Sequence, residues 1–249
     1  QPTLILSPEE KGKVRQFADD HRLSNFEHVI LWEYAPLSGQ SILNFDFVMN
    51  LSKKISEMPG VCVILSSSRS FKETDKIVDA SGLSVRENAE LTHYCTLLIG
   101  CSSGITWLST SSAAKQLPMV QLLNAQAYFL NAPSVDFKRY GISSENLIEI
   151  TNIEERIVYD CVRTIIEKDF KTAKTQFNDE VPVQFNTTGK IVYNLLCYLH
   201  FRAIARHYRI ITSIYGRHPE FIKQLLLAIF TFPIKLIGNS WRKRIASVF

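Results

Sequence analysis

A chain of 249 residues, 46% hydrophobic and 21% charged, holds enough apolar material for one full domain plus a sizeable appendage, which excludes an intrinsically disordered protein. The formal net charge is only +4, but it is unevenly spread: residues 190–249 carry ten Lys and Arg against the single acid Glu220, leaving 18 bases and 23 acids in the remainder. An acidic body therefore precedes a basic tail. The five cysteines, Cys62, Cys95, Cys101, Cys161 and Cys197, are odd in number, singly scattered and without a C-x-x-C pair. They read as reduced thiols of a cytosolic protein, most of them small core residues, and they offer no metal site. The chain opens on Gln1, with no signal peptide and a helix start almost at once, so it reads as an excerpt from a longer protein.

In chain order, Ser7, Pro8 and Glu10 form a helix-start signal, and the first helix is expected over about Pro8 to His21. Val29 to Tyr34 (VILWEY) is a short β-rich run that ends at the loop Ala35 to Ser41. Phe45, Val48, Met49, Leu51, Ser52 and Ile55 recur at helical spacing until Pro59-Gly60, and Val61 to Leu65 (VCVIL) is a second buried strand. A helical stretch is expected near Lys72 to Ala80. Ser84 and Glu87 then make a capping box that opens a helix toward Tyr94. Thr96 to Gly100 (TLLIG) is a third strand, and Cys101-Ser102-Ser103-Gly104 turns into a helix expected to reach about Lys115. Met119 to Leu123 (MVQLL) is a fourth strand, Asn124 to Ile148 is loop-rich, with Pro133 and Gly141, and Asn152 with Glu155 caps a helix over Ile153 to Lys168 with an apolar stripe of Ile157, Cys161, Val162 and Ile165. The polar stretch Lys171 to Glu180 and a turn at Asn186-Thr187-Thr188-Gly189 separate this layer from a last helical region. Alternating strands and helices predict an α/β protein with a Rossmann-like, doubly wound parallel sheet over residues 1–170, followed by a helical, basic and apolar extension over 171–249.

In such a sheet the ligand crevice lies at the carboxyl ends of the strands. Three loops there are rich in small hydroxyl residues: Ser38, Gly39, Gln40 and Ser41; then Ser66, Ser67, Ser68 and Arg69; then Ser102, Ser103 and Gly104. Amides opening a helix at Ser103 form an anion site, Gly104 permits close approach of a phosphate, and Arg69 can neutralise part of a diphosphate's charge. Glu87 and Asn88 are candidates for a ribose or base contact, although the capping box already accounts for Glu87. His93 reads as a structural residue. The catalytic base is unassigned, and no Walker loop, H-E-x-x-H or full G-x-G-x-x-G is present.

The run Glu90 to Leu123, ELTHYCTLLIGCSSGITWLSTSSAAKQLPMVQLL, resembles the donor-binding segment of heptosyltransferase-like glycosyltransferases, the ADP-heptose:LPS heptosyltransferase superfamily. The likeness covers about Ser7 to Ile166 in element order and is specific over those thirty-odd residues. The family's acidic-Ser-Gly turn is matched by Ser103 and Gly104, with Ser102 at the acidic position and Trp107 at the family's histidine position. Gln40 and Ser41 stand where the family tends to place a base. The resemblance implies the C-terminal half of a GT-B fold, with an N-terminal domain carrying the acceptor site and catalytic base outside this chain. It implies a nucleotide-diphosphate sugar as donor substrate, a polysaccharide or glycolipid acceptor, and no cofactor or metal. It does not fix the sugar or base.

The tail from Phe221 mixes an apolar run with Lys223, Lys235, Trp241 and the cluster Arg242-Lys243-Arg244. Broken by Pro233, the run is too short and too charged to span a bilayer, and it suits a helix lying in the headgroup layer. The expected location is cytoplasmic, peripheral on the inner face of the cell membrane, with no nucleic-acid partner. Two other readings remain open: a noncatalytic Rossmann-like module that binds a partner through its basic tail, and a nucleotide-sugar epimerase, which the absence of acids over Ile105 to Ser109 disfavours.

Overall fold

A computed structural model describes residues 3–34, 43–124, 132–183 and 185–246, with the backbone alone for residues 186 and 235–246. Two compact units emerge, Gln1–Pro182 and Val183–Phe249.

The first unit is built on six parallel strands: β1 (His28–Glu33), β2 (Val61–Ser66), β3 (Ile77–Asp79), β4 (Leu97–Gly100), β5 (Met119–Leu122) and β6 (Leu147–Ile150). Their spatial order is β3-β2-β1-β4-β5-β6, that of a doubly wound Rossmann sheet. The strands are apolar on both faces because helices cover both. Alternate residues make this explicit. Ile30, Trp32, Val63, Leu65, Ile99 and Val120 pack against α2 (Phe45–Ser56), α6 (Glu155–Glu167) and α7 (Phe170–Phe177), through Val48, Leu51, Ile55, Val158, Cys161, Val162 and Ala173. Val29, Leu31, Cys62, Ile64, Leu98 and Met119 pack against α1 (Pro8–Asp20), α3 (Val85–Leu91), α4 (Gly104–Leu108) and α5 (Pro133–Tyr140), through Val14, Ala18, Leu91, Ile105 and Phe137. Burial pushes the thiols of Cys62 and Cys161 up to about 12, so both sit in the core as un-ionised groups.

Local chemistry explains the helix starts. Ser7 and Ser84 each form a full capping box, with Glu10 and Glu87. Gly60 turns the chain into β2 at φ +69, where an added Cβ would meet Cβ of Glu27 at 3.3 Å.

Several expectations need correction. Lys72 to Ala80 contains the edge strand β3 rather than a helix; Asp79 fixes the approach by accepting from the Phe71 and Ser81 amides. The helix after β4 stops at Leu108, where the Thr110 hydroxyl donates to the Trp107 carbonyl and competes with further helix. Asn124 to Ile148 holds α5 and β6 as well as loop. Asn152 does not cap α6; Glu154 occupies that position, and the Asn152 amide donates to its carboxylate. Lys171 to Glu180 is largely the helix α7, capped by Asp169, which accepts from the Thr172 amide. Asn186 to Gly189 forms the first turn of a helix.

The first unit extends to Pro182, beyond the 170 boundary read from sequence, for a physical reason. β6 is an edge strand, and the chain after α7 covers its unpaired polar groups. The Glu149 amide donates to Asn178 Oδ1 at 3.0 Å and its carbonyl accepts from the Asp179 amide at 2.8 Å. Asp179 Oδ2 accepts from the Thr151 amide at 2.7 Å and hydroxyl at 2.6 Å.

The second unit consists of α8 (Asn186–Cys197), α9 (Phe201–Tyr215) and α10 (Pro219–Ala246). Its centre is Phe221, fully buried, with ring centroids of Phe185 at 5.6 Å and of His207 and Tyr208 at 6.0 Å. Pro233 does not break α10; it lies inside the helix, removing one backbone donor. No helix among the described residues is long and apolar enough to cross a membrane.

Asp179→Ala should lower the unfolding free energy by about 1–3 kcal/mol, because it removes the carboxylate oxygen that accepts both hydrogen bonds from Thr151 at the covered edge. Urea unfolding of the two proteins measures it, and an unchanged midpoint would show that the edge cover carries no stability.

Candidate functional site

A doubly wound sheet has one place where successive crossovers leave in opposite directions, and here it lies between β1 and β4: the chain passes outward from β1 to β2 and β3, then returns to β4 and runs outward to β5 and β6. Ligand crevices form at the carboxyl ends of the strands flanking such a point. β1 ends there in Glu33, a position sequence reasoning passed over. Its signal was an acid closing the apolar run VILWEY.

Glu33 is 3% exposed. Its Oε2 accepts from the Ser103 hydroxyl at 2.6 Å and from the Cys101 thiol at 3.2 Å. Burial pushes its carboxyl above the ordinary value, and the hydrogen bonds from Ser103 and Cys101 recover only part of that cost. A perturbed acid at the switch point of an α/β sheet marks a candidate functional group.

The turn after β4 is held from the other side by Gln121 of β5. The Ser102 amide donates to Gln121 Oε1 at 2.7 Å, as does the Thr106 hydroxyl at 3.0 Å. Gln121 Nε2 is buried without a hydrogen-bond partner among the described residues. Gly100 permits this approach: a Cβ there would lie 2.8 Å from Thr106 Oγ1 and 3.0 Å from Gln121 Nε2. Ser102 adopts φ +58, a left-handed conformation that costs a non-glycine residue on the order of 1 kcal/mol. Ser103 caps α4 by accepting from the Ile105 amide at 3.2 Å.

Of the turn residues singled out in the sequence, Ser102 and Ser103 are thus buried and bonded to protein groups, while Gly104 is exposed with open space where a side chain would go. Ser68 and Arg69 are exposed at the end of β2. The Arg69 guanidinium lies 4.0 Å from the centre of the Phe45 ring, and Ser67 Oγ accepts from the Arg69 amide and donates to the Tyr34 hydroxyl, both at 3.1 Å. β2 and β4 flank β1, so the loops bearing Arg69 and Gly104 leave strands roughly 10 Å apart.

Glu87 and Asn88 are committed to the packing of α1 on α3. Glu87 closes its capping box at 2.6 Å from the Ser84 amide and pairs with Lys13 at 2.9 Å. Burial pushes its carboxyl up, but these partners hold it below the ordinary value. The Asn88 amide donates to the Ser84 carbonyl. His93 bonds the Ala113 carbonyl. Ser38, Gly39, Gln40 and Ser41 lie outside the described residues, and so do the side chains of Lys235, Trp241, Arg242, Lys243 and Arg244. A cavity of about 570 Å³ lined by Asp20, His21, Arg22, Asn25, Glu73 and Asp75 lies at the end of α1 and the approach to β3. Among the described residues, no group of His, Cys, Asp and Glu is arranged to hold a metal ion.

A second buried acid follows the same design. Glu149 of β6 accepts from the Ser134 amide at 2.8 Å and hydroxyl at 2.7 Å at the start of α5, and burial pushes its carboxyl up.

Comparison of the chain with protein-family models, with curated proteins and with solved structures yields no match.

Glu33→Gln isolates the cost of the buried charge. Below the ordinary value of 4.5 the carboxyl is protonated whether the chain is folded or unfolded. As pH rises from there through the raised folded value, the unfolded chain ionises first, so stability falls and then levels off. Subtracting the variant's stability-versus-pH curve from that of the parent should leave this falling step, and a flat difference would contradict a desolvated Glu33.

Proposed function

We propose that the first unit binds a nucleotide-diphosphate sugar in the crevice between β1 and β4, as the donor-binding half of a glycosyltransferase that acts on a polysaccharide or glycolipid acceptor. The observation that carries this reading is the position of the Ser102-Ser103-Gly104 turn: it opens a helix at the switch point of a Rossmann-ordered sheet, with the exposed Gly104 allowing phosphate oxygens close to the backbone. Arg69 supplies positive charge for the leaving diphosphate, a requirement of glycosyl transfer that the turn alone does not meet. Glu33 accepts directly from the Ser103 hydroxyl of this turn. Protonated, it donates rather than repels, which suits hydrogen bonding to a ligand hydroxyl beside the phosphates.

A noncatalytic Rossmann-like module is the second reading, and one observation favours it. The Ser102 and Ile105 amides already have side-chain acceptors, and the turn already holds a carboxyl group of the protein itself.

The test pairs a ligand panel with one variant. Saturating nucleotide-diphosphate sugars should raise the unfolding free energy of the parent by about 2.7 kcal/mol at a hundredfold excess over Kd, read as a thermal shift. Gly104→Asp adds a charge where a side chain meets nothing, so it should leave the unliganded melting temperature unchanged and weaken binding at least tenfold, equivalent to about 1.4 kcal/mol. A panel without any shift favours the noncatalytic module, and binding indifferent to Gly104→Asp removes the turn from the site.

A further inference from the structure

α10 presents two faces of opposite function. Phe221 and Ala228 are buried, and Phe232 meets Tyr193 of α8 at a ring-centre distance of 5.7 Å, which defines the packed face. Leu226, Phe230 and Ile234 recur every four residues on the opposite side, with Leu227 three residues before Phe230. All four are exposed, Phe230 at 72% and Ile234 at 71%. An apolar stripe of this length facing water marks an interaction surface.

The charge of the whole unit selects the partner of this stripe. From Val183 onward the unit carries ten Lys and Arg and one acid. That acid, Glu220, is occupied by Lys223 at 3.3 Å and by the Gln224 amide at 2.8 Å. Arg202, Arg206 and Arg209 recur at intervals of four and three along α9, so they share one face, and all three are exposed. A second copy of the chain would bring the same positive charge against itself. Nucleic acid would match the charge but would leave the aliphatic stripe in water, because Leu226, Leu227 and Ile234 offer bases no stacking surface. A partner that is negatively charged at its surface and apolar just beneath satisfies both features at once.

We infer that the stripe Leu226, Leu227, Phe230 and Ile234 of α10 inserts into the interface of an anionic lipid bilayer, drawn there by the positive field of the second unit. The helix lies along the surface and does not span it. This inference is independent of the nucleotide-sugar reading, since it involves neither Gly104 nor Arg69.

Flotation of the full chain with vesicles tests it. The protein should float with vesicles of phosphatidylcholine and phosphatidylglycerol, remain behind with phosphatidylcholine alone, and be released as salt is raised. Replacing Leu226 and Phe230 together by Ser should weaken recovery at least tenfold, because it removes two of the four apolar side chains that would be buried in the interface. Replacing Arg202, Arg206 and Arg209 together by Gln, which lowers the positive field of the unit, should also weaken it at least tenfold. Because these side chains are exposed, both variants should keep the parent's circular dichroism and melting temperature. Wild-type preference for the anionic vesicles and its salt response need no variant at all. Three results would each overturn the inference: no recovery on anionic vesicles, equal recovery on phosphatidylcholine alone, or a dimer in solution that the Leu226 and Phe230 replacements dissolve. Displacement of vesicle-bound protein by a polynucleotide at equal salt would overturn it as well.

Discussion

An all-parallel sheet covered by helices on both faces has nowhere to put a polar side chain except at its edges, and that constraint organises the first unit. A carboxylate in mid-strand would lie between two apolar layers, losing its hydration with nothing to replace it. Apart from His28, half-buried at the opening of β1, the strand polar residues accordingly fall late in their strands: Glu33 in β1, Ser66 in β2, Asp79 in β3, Gln121 in β5 and Glu149 in β6. There they do structural work. Glu33 receives the Ser103 hydroxyl at the start of α4, and Glu149 receives the Ser134 amide and hydroxyl at the start of α5. The sheet thus reaches up to hold the loops that open its helices, and the polarity needed for a ligand site collects along the same edge.

Where helix or strand character is carried by the element's own residues, the sequence was a sound guide. The apolar runs VILWEY, VCVIL, TLLIG and MVQLL coincide with β1, β2, β4 and β5, and the Ser7 and Ser84 capping boxes start α1 and α3. Tertiary contacts decide the remainder. β3 is three residues long and is a strand because it pairs with β2, from Val63↔Ile77 to Leu65↔Asp79. α7 has the composition of a linker, but its own Ala173 is buried, with Phe170 and Phe177 packed on the same core. Neither pairing partner nor docking surface is visible in a local window, so propensity yields to context there.

The placement of the turn after β4 was legible in the sequence, and the bonding of its side chains was not. Strand-then-turn placement put Ser102, Ser103 and Gly104 at the carboxyl edge, which is where they lie. Which of their groups are already bonded depends on residues far away in sequence: Glu33 is seventy positions from Ser103, and Gln121 is nineteen from Ser102. A serine-rich turn advertises donors to the sequence reader, yet here the neighbouring strands take up several of them. The acid that holds this turn, Glu33, was hidden near the end of an apolar run.

Glu33 and any anionic ligand at this turn share one electrostatic environment. The Ser103 hydroxyl and the helix start stabilise negative charge, and Glu33 competes for that stabilisation against its own desolvation. A diphosphate arriving at Gly104 would bring further negative charge toward a carboxyl already displaced upward, favouring its protonated form still more. By reciprocity, protonation of Glu33 would tighten the diphosphate by the same factor that the diphosphate favours the proton. Uncharged ligands, held by hydrogen bonds alone, would lack this electrostatic term. That coupling would make the binding of a diphosphate at this turn depend on pH in a way that the binding of an uncharged ligand would not.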